Sequence, residues 1–174
     1  MKILIVSDTH GREENLKKAL EKTGRIDRLI HLGDVEGSEE YIRTLTDAPV
    51  SMVAGNNDWY SVLPKEEILT IGRYRALLTH GHHYYVGAGH EGLIEQAALK
   101  KVDIVMYGHT HYPCLVHTEG LTILNPGSLS LPRQDGHKPS YILMELDREG
   151  EAHYHICYLG MRRERRFWFG NLQM

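Results

Sequence analysis

K-I-L-I-V-S-D-T-H-G, residues 2–11, passes without a break from four consecutive apolar side chains, Ile3 to Val6, into the polar cluster Ser7, Asp8, Thr9 and His10. A strand wetted on one face alternates apolar and polar residues, whereas a run apolar at every position suits a strand covered on both faces. Such strands belong to sheets flanked by helices, and in α/β sheets sites assemble at the carboxyl edge of the strands. Chemistry is therefore expected directly after Val6.

The same alternation continues outward from this strand. Leu16, Ala19 and Leu20 form a 3.6-period face within residues 12–22, closed by Gly24, which predicts a helix. Leu29 to Leu32 predicts a second strand, residues 38–46 a helix opened by Ser38 as N-cap, and Val50 to Val53 a third strand. Later segments read mostly as strands: Ile68 to Ile71, Arg75 to Thr79, 102–107, Leu115 to His117, Leu121 to Leu124, Ser140 to Leu146 and His153 to Leu159, with one helix at 90–100. Alternating β and α followed by many β segments predicts an α/β fold with at least two sheets. No linker or internal repeat interrupts the chain, so residues 1–174 read as a single domain. The tail 161–174, with Arg162-Arg163-Glu164-Arg165-Arg166 and Phe167-Trp168-Phe169, reads as an appended segment.

A chain of 174 residues buries roughly 70% of its unfolded surface, enough for a real core. The formal net charge of -3 gives no global positive field to hold nucleic acid. No apolar run approaches the roughly 18 residues of a membrane span, and the four apolar residues near the N-terminus are too few for a signal peptide, so a cytoplasmic location is expected. Cys114 and Cys157 lie far apart and read as reduced, buried thiols. Histidine is the unusual count, 12 residues, most of them clustered.

Five predicted strand ends carry polar clusters: Ser7-Asp8-Thr9-His10, Leu32-Gly33-Asp34, Ala54-Gly55-Asn56-Asn57-Asp58, Leu78-Thr79-His80-Gly81-His82 and Gly108-His109-Thr110-His111. A lone Asp or His at a strand end is usually a cap or a solvated group. Five in succession point instead to a metal centre, with a donor set suited to Mn, Fe, Zn or Co rather than Ca alone.

The order D-x-H, G-D, G-N-N-D, H-G-H and G-H-x-H across residues 8–111 resembles the calcineurin-like metallophosphoesterases. Asn125-Pro126-Gly127-Ser128 with Leu131-Pro132-Arg133 resembles a further loop of their small prokaryotic phosphodiesterase branch. The resemblance implies that Asp8, His10, Asp34 and His111 hold one divalent ion while Asp34, Asn56, His80 and His109 hold a second, with Asp34 bridging. It implies Mn2+ first, with Zn2+, Fe2+, Co2+ or Ni2+ as alternatives, and a metal-bridging hydroxide as nucleophile on a phosphodiester or nucleotide substrate. The fold expected is a four-layer α/β/β/α sandwich of two stacked mixed sheets with flanking helices.

Many members of that family carry His where this chain has Asn57, the position thought to protonate the leaving group. An amide cannot take that role as imidazolium can, so a catalytic Asn57 favours stable leaving groups or a substitute acid. His82 and His83 are candidate substitutes or mere neighbours in a Gly-rich loop, and His31 reads as a core residue. Tyr84, Tyr85, Tyr107, Tyr112 and Arg133 are candidate pocket walls. Two rival functions remain open. The fold also resembles the retromer scaffold subunit, which binds partners instead of turning over substrate; the basic aromatic tail could contact nucleic acid. Whether the chain forms a homo-oligomer is left open.

Overall fold

The computed structural model describes residues 1–118 and 120–160. The tail 161–174, and with it the nucleic-acid reading, lies outside the described residues. In chain order the elements are β1 (Lys2–Val6), α1 (Glu14–Thr23), β2 (Arg28–His31), α2 (Glu39–Thr44), β3 (Val50–Met52), β4 (Glu66–Ile71) and β5 (Tyr74–Thr79). A 3-10 turn at His82–Tyr84 follows, then α3 (Glu91–Lys100), β6 (Ile104–Met106), β7 (Pro113–Thr118), β8 (Leu121–Pro126), β9 (Ser140–Leu146) and β10 (Ala152–Tyr158).

Two five-stranded sheets result, ordered β10-β9-β1-β2-β3 and β4-β5-β6-β8-β7. In the first, β1, β2 and β3 run parallel while β9 and β10 join antiparallel. In the second, β5, β6 and β8 run parallel, with β4 and β7 antiparallel at the edges. Both sheets are mixed, as expected.

Side-chain parity along β1 explains the layers. Ile3 and Ile5 point between the sheets, into a core with Ile30, Leu78, Ile104, Met106, Leu124 and Ile142. Leu4 and Val6 point the other way, against Leu16 and Ala19 of α1 and Ile42 of α2. On the far side, Leu77, Val105 and Ile123 pack against Leu93 and Ala97 of α3. The result is α/β/β/α, and it accounts for the unbroken apolar run. Ile5 is fully buried, so Ile5→Ala would cost about 2–5 kcal/mol in transfer and cavity terms.

The helix starts depart from the sequence reading. Ser38 occupies the N-cap position of α2 but makes no side-chain cap hydrogen bond. Its hydroxyl is turned to Glu13 and to the Val35 carbonyl, and the helix is shorter than 38–46. Cys114 and Cys157 form no disulfide, but both are half-buried rather than buried. Among the described residues no helix is long and apolar enough to cross a membrane.

Candidate metal centre

Every candidate ligand sits just beyond the carboxyl end of a parallel strand: Asp8 and His10 after β1, Asp34 after β2, Asn56 after β3, His80 after β5, His109 and His111 after β6. The stacking of the two sheets brings these ends together. Ligand atoms of Asp8, His10, Asp34 and His111 all lie within 4.8 Å of one another, a group that could hold a metal ion. Beside them, Asn56 Oδ1 lies 3.1 Å from His80 Nε2 and 2.8 Å from His109 Nδ1. Asp34 Oδ2 stands between the groups, 3.9 Å from His10 Nε2 and 3.5 Å from His80 Nε2. Thus all seven sequence candidates converge.

The outer nitrogens fix which ring atoms face inward. His80 Nδ1 lies 2.7 Å from the Leu32 carbonyl, and His111 Nδ1 lies 2.7 Å from that of Leu131. A carbonyl only accepts, so both Nδ1 atoms donate, and in the neutral form that a metal requires each ring would present a bare Nε2 to the site. His10 Nδ1 likewise donates to Glu36 Oε1 at 2.7 Å. Two lone pairs, on His10 Nε2 and His111 Nε2, then face each other across 3.3 Å. Buried Asp8 Oδ1, 3.0 Å from His111 Nε2, lacks a well-formed hydrogen bond. Converging lone pairs and an orphaned carboxylate oxygen are mutually repulsive alone and complementary to a cation. The donor set fits a divalent metal.

The local charges point the same way. Burial by itself would raise the Asp34 carboxyl, but the adjacent His80 imidazole and the hydrogen bonds from Asn57 outweigh it and hold the group below the usual range. For Asp8, burial is likewise outweighed by the His111 and His80 imidazoles. Both carboxylates are therefore ionised and ready to bind a cation.

Backbone geometry makes the convergence fit. Asp8, His10, Asp34, His109 and His111 have φ between 50° and 68°, the left-handed region that non-glycine residues seldom occupy. Two glycines provide the clearance. A Cβ on Gly55 would meet Asp34 Oδ1 at 2.1 Å, and one on Gly108 would meet Ser7 Oγ at 2.1 Å.

Sequence reasoning named Asp58 and the Asn-Pro-Gly-Ser loop among the motifs but gave them no part in holding these loops. Asp58 accepts backbone N–H bonds from Asp34, Val35, Glu36 and Gly55 at 2.7–2.9 Å, tying the loop after β2 to the loop after β3. The available signal was an acid two residues beyond Asn56, three after Gly55. Ser128 Oγ donates to the Asp8 carbonyl, and Asn125 Nδ2 donates to that of Gly108, so the Asn-Pro-Gly-Ser loop also serves the centre.

Asn57 is placed differently from a group aimed at a leaving oxygen: Nδ2 donates to Asp34 Oδ2 at 2.7 Å and its backbone N–H to Asp34 Oδ1 at 2.9 Å. His82 lies 5.4 Å from His80 and 6.1 Å from His109 between ring centroids. His31 is fully buried and bonded to Thr9, as a core residue. Among the suggested walls, Tyr107 is buried, with its hydroxyl 2.8 Å from His90 Nε2, and so belongs to the core. An open cleft of about 500 Å³ instead runs from Asn57 past Glu36, Glu39, Trp59 and Tyr60.

Comparison with known proteins agrees with this geometry. Residues 1–149 match the model of the calcineurin-like phosphoesterase superfamily domain. A probable metallophosphoesterase of Bacillus subtilis, YsnB, is 32% identical over 86% of this chain and 86% of its own. Phosphodiesterase MJ0936 of Methanocaldococcus jannaschii is 30% identical over 73% of this chain and 83% of its own. Among solved structures, a predicted phosphoesterase of Streptococcus pneumoniae TIGR4 superposes with TM-score 0.74 at 26% identity, covering 90% of this chain and 97% of that one. Vps29 of Entamoeba histolytica, in a single-mutant form, superposes with TM-score 0.73 at 27% identity, covering 92% and 100%.

Proposed function

The chain belongs to the calcineurin-like phosphoesterase superfamily, and from that premise we propose that it is a dinuclear-metal phosphodiesterase. The observation that carries the reading is the pair of imidazole nitrogens, His10 Nε2 and His111 Nε2, facing each other across 3.3 Å beside ionised Asp8 and Asp34. We assign one ion to Asp8, His10, Asp34 and His111, the other to Asp34, Asn56, His80 and His109, with Asp34 shared. When bound, such a pair of ions supplies Lewis acidity toward phosphoryl oxygens and lowers the pKa of water.

The protein's own residues prepare that chemistry. Leu32, Leu131 and Glu36 fix three imidazoles in one tautomer. Asn57 steers both oxygens of the shared carboxylate and keeps it ionised. In this reading Asn57 supplies no proton, so leaving groups that depart as stable anions are favoured. A diester is favoured over a monoester because a dianion would bind two cations tightly before the transition state, and uniform binding does not raise turnover. The relationship to phosphodiesterase MJ0936 supports the same choice.

The test is hydrolysis of bis(p-nitrophenyl) phosphate and p-nitrophenyl phosphate after chelation and reloading. Activity should vanish in chelator and return further with Mn2+ than with Mg2+, given the imidazole content. Full activity in excess chelator overturns the metal reading, and a monoester turned over faster than the diester overturns the substrate class. The scaffold alternative draws on the likeness to Vps29. Against it, each expected ligand position holds a competent donor in place.

A further inference from the structure

Trp59 and Tyr60 follow directly after the loop that carries Asn56 and Asn57, and both are spread into solvent, 83% and 101% exposed. They line the open cleft together with Glu36, Glu39 and Asn57. Its charge is one-sided: Glu36, Glu39 and Asp58 line it, and among the described residues no Lys, Arg or His does. Asp58 is saturated by backbone N–H groups and Glu36 is bonded to His10, while Glu39 accepts one bond from Ser61 through Oε1. Glu39 therefore keeps a carboxylate oxygen for a ligand. Asn57, whose amide donates to Asp34, lines the cleft as well.

An indole and a phenol beside a carboxylate form the combination that recognises organic ammonium ions, through the negative faces of the rings and the opposite charge. We propose that this cleft binds a quaternary or primary ammonium group on one ester arm of the substrate, which makes the substrate class a phosphodiester of an amino alcohol of the choline or ethanolamine type. The proposal rests on the phosphodiesterase reading. It also accounts for the acidic lining of the cleft: a second phosphate or an acidic arm would be repelled there. In the hydrolysis itself one P–O ester bond breaks, hydroxyl from water joins phosphorus, the leaving oxygen departs as an anion and the water's other proton passes to solvent.

The experiment compares two esters of identical shape and leaving group, p-nitrophenyl phosphorylcholine and p-nitrophenyl 3,3-dimethylbutyl phosphate, with the Mn2+-loaded full chain. They differ only by a positive nitrogen in place of a carbon. Two bound cations disfavour the ammonium ester, so the comparison is biased against the proposal. A kcat/KM ratio of about 5- to 30-fold in favour of the choline ester is expected. Trp59→Ala and Glu39→Gln should each bring the ratio toward one. Trp59 is exposed, so Trp59→Ala should leave the thermal midpoint near native.

In parallel, choline alone should quench tryptophan fluorescence in the native chain and not in Trp59→Phe. A native ratio of one or below overturns the proposal, as does a clear preference for a nucleoside p-nitrophenyl diester over both. Quenching by choline without hydrolysis of any diester would leave the cleft standing and sink the phosphodiesterase reading. Equal hydrolysis of both esters without quenching would do the reverse.

Discussion

The two halves of the centre are built from unequal material. Asp8, His10, Asp34 and His111 contribute two carboxylates, and His10 is backed by a third, Glu36. Asn56, His80 and His109 contribute a neutral amide and two imidazoles, and share only Asp34. Charge dominates the affinity of oxygen donors for divalent ions, so under the proposed two-ion reading the Asp8 half is expected to retain its ion and the Asn56 half to exchange one. An enzyme with one resident and one exchangeable ion would require free metal in the assay while keeping part of its metal through purification.

The largest effect should come from removing what the halves share. Asp34→Asn takes away the common charge and sets two amides against each other, since Asn57 Nδ2 already donates to that carboxylate. Its kcat/KM should fall by roughly 10³-fold or more, equivalent to several kcal/mol of transition-state stabilisation. His111→Ala and His109→Ala should be milder, the first losing the resident ion on dialysis and the second only the exchangeable one. Metal analysis finding two ions still bound in Asp34→Asn would remove the shared carboxylate from the scheme.

Next in size is Asn57→His, a change confined to the Asn56 loop. If the new ring reaches the departing oxygen, alkyl diesters should gain up to about 10²-fold while nitrophenyl diesters barely change, because only poor leaving groups need a proton. Plots of rate against leaving-group pKa, steep for the native chain and flatter for the variant, would show this. Equal slowing of both ester classes with both ions retained would mean that steering Asp34 is the whole role of Asn57.

Glu36→Gln should break the asymmetry from the other side. Loss of the charged partner of His10 should weaken the resident ion by about 10-fold, read from chelator competition, and leave the exchangeable one alone. An unchanged affinity would show that the carboxylate behind His10 only positions the ring.

The last effect lies beneath both halves and touches stability rather than turnover. Burial pushes the His31 imidazole down to about 4, while in the unfolded chain it titrates near about 6.5. Between those values the unfolded chain binds the proton and the folded chain does not, so stability falls as pH drops from about 6.5 to 4, by at most about 3 kcal/mol. Denaturant midpoints of the metal-free chain should show a shallower acid slope in His31→Gln than in native protein. Identical slopes would assign the acid sensitivity to other groups.

What could be read from sequence followed from periodicity. Strands buried on both faces leave unbroken apolar runs, so β1, β2 and β9 were visible, and the polar residues after them marked the centre. Tyr107 was misread although parity was available: it shares a face with Val105, toward α3, while Ile104 and Met106 face the other sheet. Ser38 had the right residue type in the right place, but its hydroxyl was taken by Glu13, a contact made across the fold. Asp58 and the Trp59–Tyr60 cleft were hidden because their roles depend on which loops meet, and residue type does not carry that.

The left-handed backbone at five ligand positions carries an evolutionary consequence. At about 1 kcal/mol each, the low end for such conformations, they total roughly 5 kcal/mol, comparable with the net stability of a whole domain. A lineage that keeps binding metal recovers this from the bound ions by linkage. One that stops binding metal has every reason to let those five positions drift toward glycine or relaxed conformations. Asp and His at φ 50–68° are thus expected to relax at a gain in metal-free stability when replaced by glycine, which thermal midpoints of the metal-free variants would check.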